Sequence, residues 1–162
     1  MTVENGTGLS TADSYVSRTG ADTYHSDRGN VAWGEATEVE RERALIRATQ
    51  WIEARYRSRW IGTRATSEQA LSWPRWNAVD PDGYEVAGVP RAVAHATAEA
   101  ALLVVSGQEL APPQERAGRV KREKVGPIET EYADGAPAGT NYPAISGLLR
   151  GLVRGPGLRV TL

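Results

Sequence analysis

The segment EVERERALIRATQWIEARYRSRW, Glu38–Trp60, carries its apolar residues at helical spacing. Leu45, Ala48, Ile52 and Tyr56 recur at i, i+3, i+7 and i+11, with Trp51 beside them, so one apolar stripe runs along a helix. Glu40, Arg43, Arg47, Gln50, Glu53 and Arg57 fall on the other face, and Glu53 and Arg57 pair at i, i+4 with the acid first. Thr37 is placed to cap the start, and Glu40 three residues on completes a capping box. Glu38 and Glu40 suit the positive end of the helix dipole, and Arg55, Arg57 and Arg59 the negative end. Gly62 is the expected stop.

A helix with one apolar face needs a partner, and Pro90–Leu110, PRAVAHATAEAALLVVSGQEL, supplies one. Pro90 fits the first helical position, where its missing N–H costs nothing. Val93, Ala96, Ala100, Leu103 and Val104 make a broad stripe whose alanines allow close approach. Gly107 and Pro112–Pro113 end it. The expected core is Leu45, Trp51 and Ile52 against Val93, Ala100 and Leu103. The fold class that follows is mainly α: a small helical bundle around two long antiparallel helices, with a β-hairpin or extended arms and a C-terminal helix plus tail.

The 162 residues suit one domain. It divides into an N-terminal arm over 1–16, a helical core over 17–110, a linker and hairpin over 111–141, and a C-terminal helix and tail over 142–162. Five Trp, six Tyr and no Phe leave the aromatic packing to indoles and phenols. A formal net charge of -1 gives no global field for nucleic acid or an anionic membrane. The absence of Cys excludes disulfides, thiolate catalysis and cysteine-ligated zinc. No apolar run approaches the roughly 18 residues of a membrane span. MTVENGTGLS lacks the basic and apolar regions of a signal peptide, so the cytosol is the expected compartment.

Outside the two main helices the expectations are local. Thr2–Glu4 reads as an edge strand before a turn at Asn5-Gly6, and Ser17 caps a first helix to about Arg28. Trp33 reads as a staple for the long helix. Asp80-Pro81-Asp82-Gly83 is a turn, and its flanks Trp76–Val79 and Tyr84–Val86 could pair. Arg119–Tyr132 alternates around Gly126-Pro127 as a β-hairpin. Tyr142–Val153 is a last helix with Ile145, Leu148, Leu149 and Leu152 on one side, followed by the tail Gly155–Leu162.

Catalytic chemistry finds little support. His95 in the alanine-rich helix reads as a partly buried structural histidine. His25, in HSD, lacks the HExxH or HxH spacing of a metal site. Asp80-x-Asp82-Gly-x-Glu85 falls short of a calcium loop, and no phosphate-binding glycine loop is present. The chain therefore reads as a non-enzyme without catalytic residues, metal or cofactor. LSWPRW is the unusual local sequence. Trp73, Arg75 and Trp76 could form an aromatic–cationic platform for single-stranded bases, or Trp73 could plug the core while Arg75 pairs with a helix acid. Arg116, Arg119, Lys121, Arg122 and Lys124 form a basic run, followed by Glu129, Glu131 and Asp134 at the distance of a hairpin partner. Phosphate binding and cross-strand pairing both account for it.

An ordered series of short motifs spans roughly Glu4 to Leu149: GTGL and DSYVS, ALIRAT and ARY, QALSWPR, DGYEVAGVPRAV, RVKREKVGPIETEYADG and YPAI. In that order they resemble a family of small tailed-phage and prophage proteins from head-assembly modules, described as head–tail connectors or adaptors. Some members carry the label DnaT-like single-stranded DNA-binding protein. The resemblance implies a structural virion protein of the bacteriophage neck, made in the host bacterial cytoplasm. It implies a homo-oligomeric, dodecameric ring below the portal protein, bridging it to stopper or tail proteins, with DNA passing through its channel and no membrane contact. On that reading Leu148, Leu149, Leu152, Arg154, Leu158, Val160 and Leu162 meet the portal. Arg119, Lys121, Lys124, Glu129, Glu131 and Tyr132 form a hairpin for neighbouring subunits or partners. The alternative is a single-stranded DNA-binding protein that uses LSWPRW and the basic hairpin.

Overall fold

The computed structural model describes residues 1–111 and 141–155 in full and two strands between them, Arg122–Val125 and Ile128–Glu131, by their backbone. The chain forms two compact units, Met1–Leu110 with Tyr142–Leu162, and Ala111–Asn141. The class is mainly helical, and a small bundle makes up the first unit.

That unit contains α1 (Arg18–Ser26), α2 (Val31–Glu35), α3 (Glu38–Tyr56), α4 (Arg91–Val105) and α5 (Pro143–Leu148), with a two-stranded antiparallel sheet of β1 (Thr63–Arg64) and β2 (Arg75–Trp76). Ser17 Oγ accepts from Gly20 N and starts α1. Thr37 and Glu40 form the reciprocal capping box that starts α3. α3 packs most extensively on α4. Leu45, Ala48, Ile52, Val93, Ala96 and Ala100 are fully buried, while Trp51 and Leu103 sit half-buried against them. The alanine content of α4 lets the two helix backbones approach closely.

Several local expectations are corrected. Trp33 does not staple α3. It lies in α2, 2% exposed, and its Nε1–H donates to Asp22 Oδ1 at 2.8 Å. Asp22 also takes Arg41 Nη1 at 3.0 Å and Arg18 Nη1 at 3.0 Å, so one carboxylate ties α1, α2 and α3 together. Trp76 does not open a hairpin with Tyr84–Val86. It pairs with Thr63, while the rest of the two flanks does pair around the 80–83 turn, through the antiparallel bridge Val79↔Glu85 and the bonds from Val86 N to Ala78 O at 2.8 Å and from Asp80 N to Tyr84 O at 2.9 Å. Asp80 caps its own turn, with Oδ1 accepting from Asp82 N at 3.0 Å and Tyr84 N at 2.8 Å, which spends the acid that a calcium loop would need.

The C-terminal helix is shorter than its apolar pattern suggests. α5 stops at Leu148, and the chain turns at Gly151, whose φ of +89° favours glycine. A Cβ there would meet Pro81 Cγ at 2.7 Å, so the 80–83 turn rests on this point. Val153 then bridges to Trp60, and Ile61 N donates to Leu152 O at 3.0 Å.

In the second unit β3 (Arg122–Val125) and β4 (Ile128–Glu131) pair antiparallel as a hairpin, in the register Arg122↔Glu131 and Lys124↔Glu129. Among the described residues no helix is long and apolar enough to cross a membrane.

Ile52 lies on the buried stripe of α3 with no exposed surface. Ile52→Ala is expected to lower unfolding free energy by about 2–5 kcal/mol in urea titrations, the range for opening a cavity in a packed core.

Candidate nucleic-acid interface

The LSWPRW segment is held from beneath by α3. Tyr15, 3% exposed, donates its hydroxyl hydrogen to Glu53 Oε1 and accepts from Ser72 N at 2.9 Å and Trp73 N at 3.2 Å. The second carboxylate oxygen of Glu53 accepts from Ser72 Oγ at 2.7 Å. Burial first, and then the Glu53 charge, push the Tyr15 hydroxyl well above its ordinary pKa, so it stays a donor. Two adjacent amides and one hydroxyl are thereby fixed before the cis Trp73–Pro74 bond.

The three residues named from the sequence then part company. Trp73 is fully buried and packs edge-on against Trp60, ring centroids 5.9 Å apart. It is a core residue and offers no face to a base. Arg75 is spent on the backbone: Nε donates to Ile61 O at 2.6 Å, Nη1 to Ser72 O at 3.0 Å and Nη2 to Gly62 O at 2.9 Å. It clamps three carbonyls, and the expected pairing with a helix acid is replaced by this clamp. Only Trp76 faces out, 61% exposed, with its Nε1–H donating to Ala65 O at 3.1 Å. The indole is therefore tethered along one edge while its ring remains available.

The register depends on Gly62. Its φ is +67°, and a Cβ there would meet Trp76 O at 2.5 Å and Ala78 N at 2.9 Å. Only glycine lets the chain leading into β1 come this close and set Thr63 opposite Trp76 and Arg64 opposite Arg75.

Arg64 and Arg154 lie near enough to Arg75 for their charges to act on it, and Arg154 in turn pairs with Arg59. Arg64 Nη2 donates to Ser67 O and Gln69 O. Arg154 N donates to Arg59 O at 2.7 Å, and Arg59 Nε returns a bond to Arg154 O at 3.1 Å. Desolvation lowers the Arg75 pKa most, and the charges of Arg154 and Arg64 lower it further, against the raising influence of Tyr15 and Glu53. Among the described residues none of Arg59, Arg64, Arg75 and Arg154 forms a salt bridge.

The remaining sequence candidates are distributed elsewhere. Leu149 and Leu152 are 1% and 7% exposed and belong to the unit's own core, with Leu148 half-buried against it. They close the fold and do not present a docking edge. Arg154 alone of that set is exposed, while Leu158, Val160 and Leu162 lie outside the described residues. Arg119, Lys121 and Tyr132 also lie outside them, and Lys124, Glu129 and Glu131 are placed by register only, each base of β3 opposite an acid of β4.

His25 is fully buried. Ala98 O, 3.2 Å from Nε2, can only accept, so Nε2 carries the proton and Nδ1 accepts from Asn30 Nδ2 at 2.9 Å. Both ring nitrogens are satisfied in the neutral form. His95 receives Arg91 Nε at 3.4 Å on Nε2 and lies tilted against Tyr24, ring centroids 4.5 Å apart. Among the described residues no three acids or histidines gather as a metal site.

The exposed Trp76 indole offers a stacking face, and Thr63 is its partner across the sheet, while Arg64 and Arg75 pair with each other one position on. A family model described as "Putative DnaT-like ssDNA binding protein" matches residues 1–162, and the chain belongs to that family. No curated protein and no solved structure matches the chain. The resemblance to head–tail connectors is corrected by this match, and the virion, neck, portal-binding and dodecameric-ring assignments fall with it.

The meeting of Arg59 and Arg154 is the part that sequence reasoning missed. Arg59 and Arg154 are 95 positions apart and meet through backbone pairing, which no local pattern announces.

Burial holds the His25 pKa below its ordinary 6.5 in the folded chain. The unfolded chain thus binds the proton more readily, and the contribution is fully present above the unfolded value and lost as pH falls through it toward the folded value. His95 is lowered in the same direction, by burial and then Arg91. Unfolding free energy is expected to decline from about pH 7.5 to 5.5, and His25→Gln to flatten that slope more than His95→Gln. Equal slopes in all three proteins contradict the assignment.

Proposed function

We propose that the chain binds single-stranded DNA, with Trp76 as the stacking platform and Arg59 and Arg154 as phosphate contacts. The observation that carries this reading is the edge-tethered, exposed indole of Trp76 in a member of this family. Tethering through Nε1 removes part of the ordering cost of stacking, since the ring is already held. Every base has a π-face, so such a platform is tolerant of sequence. Arg59 and Arg154 supply charge without a carboxylate to compete for it among the described residues. A net charge of -1 keeps the interaction local and sensitive to salt.

In this reading the chain is a binding protein and not an enzyme. Its affinity comes from stacking and charge, and Trp73 and Arg75 contribute by shaping the loop rather than by touching DNA. The β3–β4 hairpin is secondary, because its register sets Arg122 and Lys124 opposite Glu131 and Glu129 and so offsets their charge.

Fluorescence anisotropy with a labelled oligothymidylate tests the assignment. Trp76→Ala is expected to weaken binding by about 1–3 kcal/mol, roughly 5- to 150-fold, with the melting temperature nearly unchanged. Trp76→Phe retains most of the affinity. Binding that survives Trp76→Ala unchanged overturns the placement of the interface.

A further inference from the structure

A cavity of about 450 Å³ opens between α2, the first half of α3 and the end of α4. Its apolar lining is Ala32, Ala36, Ala44, Val104 and Val105, side chains short enough for another backbone to come close. Nothing in the DNA-binding reading uses this groove.

The charges around it identify the occupant. Glu40 is committed to the capping box, accepting from Thr37 N at 2.7 Å and Thr37 Oγ1 at 2.7 Å. Glu35 on α2 and Arg43 and Arg47 on α3 also line the groove. None of these three makes a salt bridge among the described residues. The groove thus holds an acid without a salt bridge on one helix and two bases without one on another, Arg43 only adding to the Thr37 hydrogen bonds that lower the pKa of Glu40. A partner of uniform charge satisfies one side and opposes the other. A second copy related by a two-fold axis satisfies both, its Arg43 and Arg47 approaching Glu35 and its Glu35 approaching the two arginines, while the apolar linings meet between them.

We propose that this groove is an isologous interface, in which a second copy of the chain docks α2 and α3 against α2 and α3. The proposal stands apart from the DNA-binding reading, since Trp76 takes no part in it.

Sedimentation equilibrium of the full chain tests it without DNA present. The expected result is a reversible dimer that weakens as salt is raised. Arg43→Glu/Arg47→Glu and Glu35→Lys each weaken self-association by roughly tenfold or more. All three substituted positions are exposed, so circular dichroism should report an unchanged fold. Mixing the two variants is the decisive arm. Glu35 of the first then meets the native arginines of the second, and the first variant's introduced acids meet the second's introduced lysine, so a heterodimer forms where each variant alone is monomeric. A monomer at every concentration, charge reversal without effect, or failure of the mixture to associate overturns the proposal. Binding of an acidic peptide to the groove in place of a second copy also overturns it.

Discussion

The Tyr15 hydroxyl is the point on which the irregular half of the molecule depends. It bonds to Glu53 on α3 and to two consecutive amides, Ser72 N and Trp73 N, and so ties the N-terminal segment, the long helix and the 72–76 loop through one buried atom. A hydrogen bond to a charged partner contributes about 1.5–3 kcal/mol net, and leaving its buried partners unsatisfied costs a comparable amount. Once Ser72 and Trp73 are fixed, Trp73 has one place to go, against Trp60 in the core. Arg75 then reaches three carbonyls of the 61–72 region, and Trp76 is carried outward beyond it.

Two tryptophans three residues apart therefore have opposite fates, one without exposed surface and the other 61% exposed. The buried one supplies packing to a core that has no Phe. The exposed one is the proposed stacking platform. Gly62 is the backbone counterpart of this division, because the strand that receives Trp76 passes too close for any Cβ. Stability and function are thus adjacent but separable, and substitutions at Trp73 and Trp76 should report on different properties.

The helices were legible because their signals are local. The stripe Leu45, Ala48, Ile52 and Tyr56, the Ser17 cap and the Thr37–Glu40 box each lie within a few turns of chain, and all are realised. Leu149 and Leu152 show where local reading stops. An apolar stripe states that a face needs covering but not what covers it, and here the covering is the unit's own core. The candidate interface was legible only in part. LSWPRW stood out by composition, but the sorting of Trp73, Arg75 and Trp76 follows from Tyr15, Glu53 and Gly62, which are distant in sequence. Arg59 and Arg154 came together through tertiary pairing alone. The ordered motifs pointed to phage connectors, whereas the family match carries the DNA-binding description that had stood only as the alternative.

The central claim is that Trp76, and not the buried Trp73, meets the strand. Ultraviolet cross-linking of the wild-type protein to a single-stranded oligonucleotide, followed by mass spectrometric mapping, tests it most directly. The account predicts that the adduct maps to Trp76, with none at Trp73 or Trp60. Adducts confined to the 111–141 region, or found at Trp73, contradict it.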